Sequence, residues 1–289
     1  LKKWTVFMGA GVLAFGLSAC GQTAEPAEGS DENANTNAES ELTLEEVFAN
    51  STEATEQANS LHADIVTNQQ MTMQPGGMEM NMEMNSAMDM TQDPLAFHQT
   101  SETSIVSEDI ENENPVAMEM YFTEDGMYMH EATMDTWLKM TGESVEQLKS
   151  LADEQTADPS QQLEQLAGFQ DDFTFKQTEE EYILTLDASG EKFKELINQQ
   201  MDKTLGQIEL EAQTALEDMT IHHVFYEIFI DKETFLTNNM NMEMSLDMNI
   251  EEETMSIQTD VQVDYSKYNE IEEITVPQEV IDQAQEMAF

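Results

Sequence analysis

The chain has 289 residues, with 60 Asp and Glu against 10 Lys and no Arg, for a formal charge of −50. Without arginine forks and with this excess of negative charge, nucleic acid is excluded as a partner. Cys20 is the single cysteine, so no disulfide holds the fold, and its lipidation would leave no thiol nucleophile.

The N-terminal stretch reads as a bacterial lipoprotein signal. Lys2 and Lys3 precede an apolar run from Val6 to Leu17, too short for a comfortable membrane span. The run ends in Leu17-Ser18-Ala19-Cys20, which has the order of a lipobox. Residues 1–19 are expected to be a signal peptide and Cys20 the lipidated residue. Two or more acyl chains would anchor the protein on the extracellular face of the membrane, at ~0.8 kcal/mol per buried methylene. From Cys20 to residue 42 the chain is almost free of apolar side chains and predicts a disordered acidic tether. As a flexible coil it spans roughly 25 Å r.m.s..

Residues 43–289 are expected to form one domain. Thr43-Leu44-Glu45-Glu46 is a capping box, with Leu42 and Val47 placed for a hydrophobic staple. The apolar stripe of the helix it opens runs through Leu44, Val47, Phe48, Thr55, Ala58 and Leu61. The period then falls to two: Ala63, Ile65, Thr67, Met71 and Met73 alternate with polar residues. Pro75-Gly76-Gly77 predicts a turn, and a methionine strand runs back to Asp93-Pro94. Met78, Met80, Met82, Met84, Met88 and Met90 all occupy its even positions. Further strands are expected from Leu95 and Phe97, fading into the polar residues 101–104, then at Val116 to Phe122, from Met127, and at Trp137 to Met140.

A helical section is expected near 143–168, then a hairpin carrying Phe173, Phe175, Tyr182, Leu184 and Leu186. Ser189 is placed to cap a long helix reaching about Asp218, with Phe193, Ile197 and Met201 on its apolar face. Strands over 220–231, 234–250 and 253–265 follow, the second again with Met240, Met242, Met244 and Met248 on even positions. Val276-Pro277 opens a short terminal helix. The layout predicts an α+β fold: one curved antiparallel sheet with helices covering its concave face.

Several segments carry a resemblance: the lipobox, Asp135-Thr136-Trp137-Leu138-Lys139, Glu181-Tyr182-Ile183-Leu184-Thr185-Leu186 running into Ser189-Gly190-Glu191-Lys192-Phe193, and Ile274-Thr275-Val276-Pro277. Through them the chain resembles a family of uncharacterised Gram-positive lipoproteins of the cell envelope with a LolA/LppX-like fold. The resemblance covers nearly the whole mature chain. It implies a half-barrel of about ten to eleven strands with a helical lid, and a cavity that holds lipids or lipoproteins. It assigns no catalytic residue, and fold analogy does not establish function.

The residues themselves give no enzyme signature. G-x-S-x-G, a Walker loop and EF-hand spacing are all missing, and His130-Glu131-Ala132-Thr133-Met134 lacks the second histidine of a zinc helix. No enzymatic activity and no cofactor are therefore expected. His222-His223 open a strand and are expected on opposite faces; His62, His98 and His130 are isolated in sequence.

The methionines admit three readings: a soft wall of a ligand cavity, plain core packing, or a copper(I) site on Met80, Met82 and Met84. Leu246 and Ile250 take even positions beside the methionines, so the slot wants apolar bulk. The expected cavity lining is Met78, Met80, Met82, Met84, Met118, Met120, Met240, Met242, Met244, Leu246, Phe193 and Ile197. The expected protein is a monomeric lipoprotein that binds a lipid-like ligand; copper handling and a ligand-free scaffold are the alternatives.

Overall fold

A computed structural model describes residues 22–27, 40, 42–107, 110–111, 115–133, 136–141, 163, 166, 169, 172–188, 190, 193–194, 219–250 and 253–287. Cys20, the signal segment, most of the tether, most of 143–168, most of the long helix expected after Ser189, and Ile197 lie outside the described residues.

In chain order the elements are β1 (Glu25–Pro26), α1 (Leu44–Glu56), β2 (Ser60–Gln74), β3 (Met78–Gln92), β4 (Leu95–Ser107), β5 (Ile110–Glu111), β6 (Val116–Thr123), β7 (Gly126–Glu131) and β8 (Leu138–Met140). They continue with β9 (Phe173–Gln177), β10 (Glu181–Ala188), β11 (Thr220–Asp231), β12 (Thr237–Ile250), β13 (Glu253–Ser266), α2 (Gln278–Gln283) and β14 (Gln285–Met287). The strands form one curved, open sheet in the order β1-β9-β10-β11-β12-β13-β2-β3-β4-β6-β7-β8-β14, with β5 paired to β4. All pairs are antiparallel except β1 with β9 and β14 with β8 at the two edges.

Eleven of these strands are the ones that the sequence patterning predicts, and the other three, β1, β5 and β14, are two or three residues long. Two boundaries differ: β12 starts at Thr237 instead of 234, and β4 does not fade at residues 101–104 but runs on to Ser107. Cross-strand backbone pairing with β3 holds this polar stretch extended.

Part of the expected tether is ordered. Glu25 and Pro26 pair alongside Lys176 and Gln177, Ala27 N–H donates to Gln177 O (2.9 Å), and Thr23 bridges Thr43. Ala24 is fully buried there. The backbone of this segment covers the free edge of β9, a role that needs little apolar side-chain content.

The capping box forms as predicted: Thr43 N–H donates to Glu46 Oε2 (2.8 Å), and Glu46 N–H to Thr43 Oγ1 (3.2 Å). α1 buries Leu44, Val47 and Phe48, and Phe48 meets Phe173 edge-on at 5.2 Å between centroids. The predicted stripe overruns the helix, since Ala58 follows its end and Leu61 already belongs to β2. Leu163, Leu166, Phe169 and Phe193 are buried in the same core cluster as α1.

α2 departs from the expected covering of one face. Its Val280 packs with Tyr121, Tyr128 and Trp137, whose positions on β6, β7 and beside β8 put them on the other face of the sheet from α1. The chain crosses to that end after β13. Asn59 N–H donates to Asn269 Oδ1 (2.7 Å), Asn269 N–H to Ser60 O (2.8 Å) and Gln285 N–H to Trp137 O (2.8 Å).

Asp231 closes the β11–β12 turn. Its Oδ1 accepts the N–H groups of Glu233 (3.0 Å) and Thr234 (2.7 Å) and the Thr234 hydroxyl (2.8 Å). Burial opposes its charge, but these bonds outweigh burial and hold the carboxyl below its ordinary range.

Gly126 closes the β6–β7 hairpin at φ 134°, and a Cβ there would stand 2.8 Å from the Met140 carbonyl oxygen. Gly126→Ala is expected to destabilise the protein by about 1–3 kcal/mol, from the φ penalty and the backbone clash together. Thermal denaturation followed by circular dichroism measures this. Gly76→Ala in the open turn, with nothing within 4 Å of its Cβ position, isolates the φ contribution.

Candidate functional site

In an antiparallel sheet, directly paired residues present side chains to the same face. The register therefore converts sequence alternation into rows that cross the sheet. At the β2–β3 turn the row is Met248–Met255–Met73–Met78. The next is Leu246–Ile257–Met71–Met80, followed by Met244–Thr259–Gln69–Met82–Ile105. Then come Met242–Val261–Thr67–Met84–Thr103 and Met240–Val263–Ile65–Ser86–Ser101–Met118. Met120 follows through Gln99, Met88 and Ala63. The methionines of the two meanders thus lie on one continuous face.

That face is closed at the Met88–Met90 end and, on β12, as far as Leu246 in the row of Met80; it opens along β3 towards the β2–β3 turn. Met88, Met90, Met240 and Leu246 are buried, and Phe193 is buried 6.0 Å from the ring centroid of Tyr226. Met80, Met82, Met84, Met118, Met120, Met242 and Met244 are half-buried. Met78, next to the turn, is 55% exposed. The core cluster reaches Ile65 on β2 and Met88 on β3; on β12 it takes in Met244 and Met248 as well.

The face also carries polar groups that the sequence reading left aside. Gln69 Nε2 donates to Thr259 Oγ1 (3.2 Å), and Gln99 Nε2 to Ser86 Oγ (2.7 Å). Their parity was the available signal, since Gln69 is in phase with Met71 and Met73. Tyr226 shares the face, and burial pushes its phenol up to about 12.

The opposite face is acidic and holds the histidines. His62 Nδ1 lies 2.6 Å from Asp89 Oδ1, and His98 Nε2 lies 3.0 Å from Glu119 Oε1. His98 stacks on Tyr121 at 4.2 Å. The Tyr121 phenol is pushed up to about 12, first by burial and then by its hydrogen bond to the Glu119 carboxylate (2.9 Å).

His222 and His223 do not take opposite faces. A β-bulge between Ile221 and His223 breaks the alternation, so His222 meets Asp247 (2.8 Å) and His223 meets Asp187 (3.2 Å), both on the acidic face. The Asp247 carboxyl is held below its ordinary range by hydrogen bonds from Ser256 and His222. Among the described residues no group of three or more His, Asp or Glu is arranged to hold a metal ion. A groove of about 560 Å³ crosses this face, lined by Asp64, Asn85, Thr100, Glu102, Glu119 and His130 among others.

The fold and its faces define an open antiparallel-sheet protein with one thioether-rich face and one acidic face. The chain belongs to the family of unknown function DUF6612, whose model matches residues 43–285. No curated protein matches it. Among solved structures it is similar to LprF from Mycobacterium bovis, at 11% identity over 81% of this chain and 96% of that one, with a TM-score of 0.37. It is also similar to a DUF1329 family protein from Desulfovibrio piger, at 10% identity, 78% and 93% coverage and a TM-score of 0.24. A β-barrel-like DUF1849 protein from Brucella abortus matches at 9% identity, 72% and 99% coverage and a TM-score of 0.23.

The burial gradient has a measurable signature. Met240→Ala is expected to cost about 2–5 kcal/mol, as truncation in a packed core does, and Met82→Ala less than about 1 kcal/mol. Urea unfolding of the two variants compares them directly.

Proposed function

We propose that the protein is a membrane-anchored, extracytoplasmic carrier that holds an apolar or amphiphilic, lipid-like ligand against the methionine face. The observation that carries this reading is the gradient of that face. A folded domain normally closes its apolar surface, yet here the β3 methionines run from buried Met90 and Met88 through half-buried Met84, Met82 and Met80 to exposed Met78. Methionine suits such a wall. Its unbranched, polarizable side chain reshapes around varied apolar partners, whereas Leu, Ile and Val favour one fixed packing.

The polar pairs Gln69–Thr259 and Gln99–Ser86 give the same face donors and acceptors for an amphiphile's head group. The lipobox at Leu17–Cys20 supports an anchored, monomeric carrier on the outer surface of the cell membrane. No catalytic role is assigned.

Native mass spectrometry and organic extraction of the purified protein test the ligand. Co-purifying lipid, or displacement of a fluorescent fatty acid, is expected, and binding is expected to weaken when Met82 and Met84 are both replaced by Glu. A protein that carries no lipid and takes up no probe contradicts the carrier reading. The anchor is tested apart from it: Cys20→Ser is expected to move the protein from the membrane fraction to the soluble fraction, with loss of acyl mass.

A further inference from the structure

The register assembles something that no single strand contains. Met71 and Met73 on β2 are the direct cross-strand partners of Met80 and Met78 on β3. The four thioethers form a two-by-two block on one face, beside the turn at Pro75-Gly76-Gly77. Cross-strand partners have Cβ atoms about 5 Å apart, and next-but-one residues on a strand about 6.5–7 Å. Each methionine carries its sulfur on an unbranched stem with three rotatable bonds. Four such stems rooted in a block of this size can bring their sulfurs onto one point. Met255, the other cross-strand neighbour of Met73, supplies a fifth sulfur at the margin.

From this block we infer a binding site for a soft monovalent cation, copper(I) or silver(I), made by Met71, Met73, Met78 and Met80. Thioethers are soft and neutral and prefer such ions to zinc, calcium or magnesium. The set differs from the one that sequence spacing suggests. Met82 is flanked by Gln69 and Ile105, and Met84 by Thr67 and Thr103, so neither has a thioether partner across the ladder. Only Met80 belongs to both sets.

The block is also accessible. Met78 is 55% exposed, and Met71, Met73 and Met80 are half-buried. The formal charge of −50 draws cations towards the molecule as a whole. The site does not rest on the carrier reading. It uses the turn end of the face, and its failure would leave lipid uptake along the rest of the face untouched.

The test uses the full chain bearing Cys20→Ser, so that no thiol competes. Copper(I) is titrated under reducing, anaerobic conditions against a chromogenic copper(I) chelator. One equivalent is expected to leave the chelator. Replacing all four block methionines by Leu is expected to weaken binding about 100-fold, while Met82→Leu with Met84→Leu changes it by less than about 2-fold. Met78→Leu alone, at the exposed corner, is expected to weaken it by about 10-fold and covers the case in which the fourfold variant fails to fold. Thioethers carry no titrating proton, so affinity is expected to stay level from about pH 5 to pH 8, where a histidine site would lose its metal on acidification. In the parent, silver(I) is expected to shift the methyl resonances of these four methionines in NMR spectra. No uptake by the parent overturns the proposal. So does undiminished binding by a folded fourfold variant, or an equal loss in the Met82/Met84 variant.

Discussion

The pairing of β13 with β2 is the constraint on which the rest depends. It runs from Thr254 against Gln74 to Ser266 against His62 and joins two meanders about 190 residues apart in the chain. Each meander alone would present a short apolar face. Joined in this register, they make one face that is continuous from β11 to β7. A slip of one residue would turn Met255, Ile257, Val261 and Val263 to the acidic side, so burial of Val263 and Tyr265 fixes the register for the whole sheet.

The two faces solve different problems. The acidic face must keep like charges apart where the ladder sets them opposite one another, as with Asp64 and Asp264 or Glu243 and Asp260. Amides and histidines do this locally. Asn239 Nδ2 donates to Asp264 (2.6 Å), Asn241 to Glu227 (3.4 Å) and Asn85 to Glu83 (3.3 Å), while His62 lies within 3.4 Å of Asp64. A chain without arginine thus solvates part of its surface carboxylates with side-chain amide donors. The methionine face carries few charges, and its tension is between closing and staying open.

Much of the fold was legible because its signals are local. The period-two runs, the Pro-Gly-Gly turn and the Thr43–Glu46 box each name their element without reference to the rest of the chain. Parity even revealed that the methionines of each strand share a side. What parity could not supply was the neighbour across the ladder. Met71, Met73, Met78 and Met80 were all visible in sequence, but as two separate runs; only the register makes them a block. The bulge at His222 was invisible for a related reason. One inserted residue depends on how β12 meets β11, not on anything that His222-His223 say themselves. Residues 22–27 misled because edge pairing uses backbone, to which side-chain composition is blind.

The β13–β2 pairing has a consequence for how the molecule comes into being. β2 is among the first strands to be synthesised, and β13 among the last. Until residue 266 has emerged, the first meander can be complete from β2 to β8 and still present β2 as a long bare edge beside half-open methionines. Contacts of such sequence separation make folding slow, because a large loop must be closed before they form. An unpaired strand edge is also the template on which chains stick to one another. The sheet therefore becomes safe only when its last long strand docks in the middle, and a chain truncated before β13 loses its seam, not merely its end.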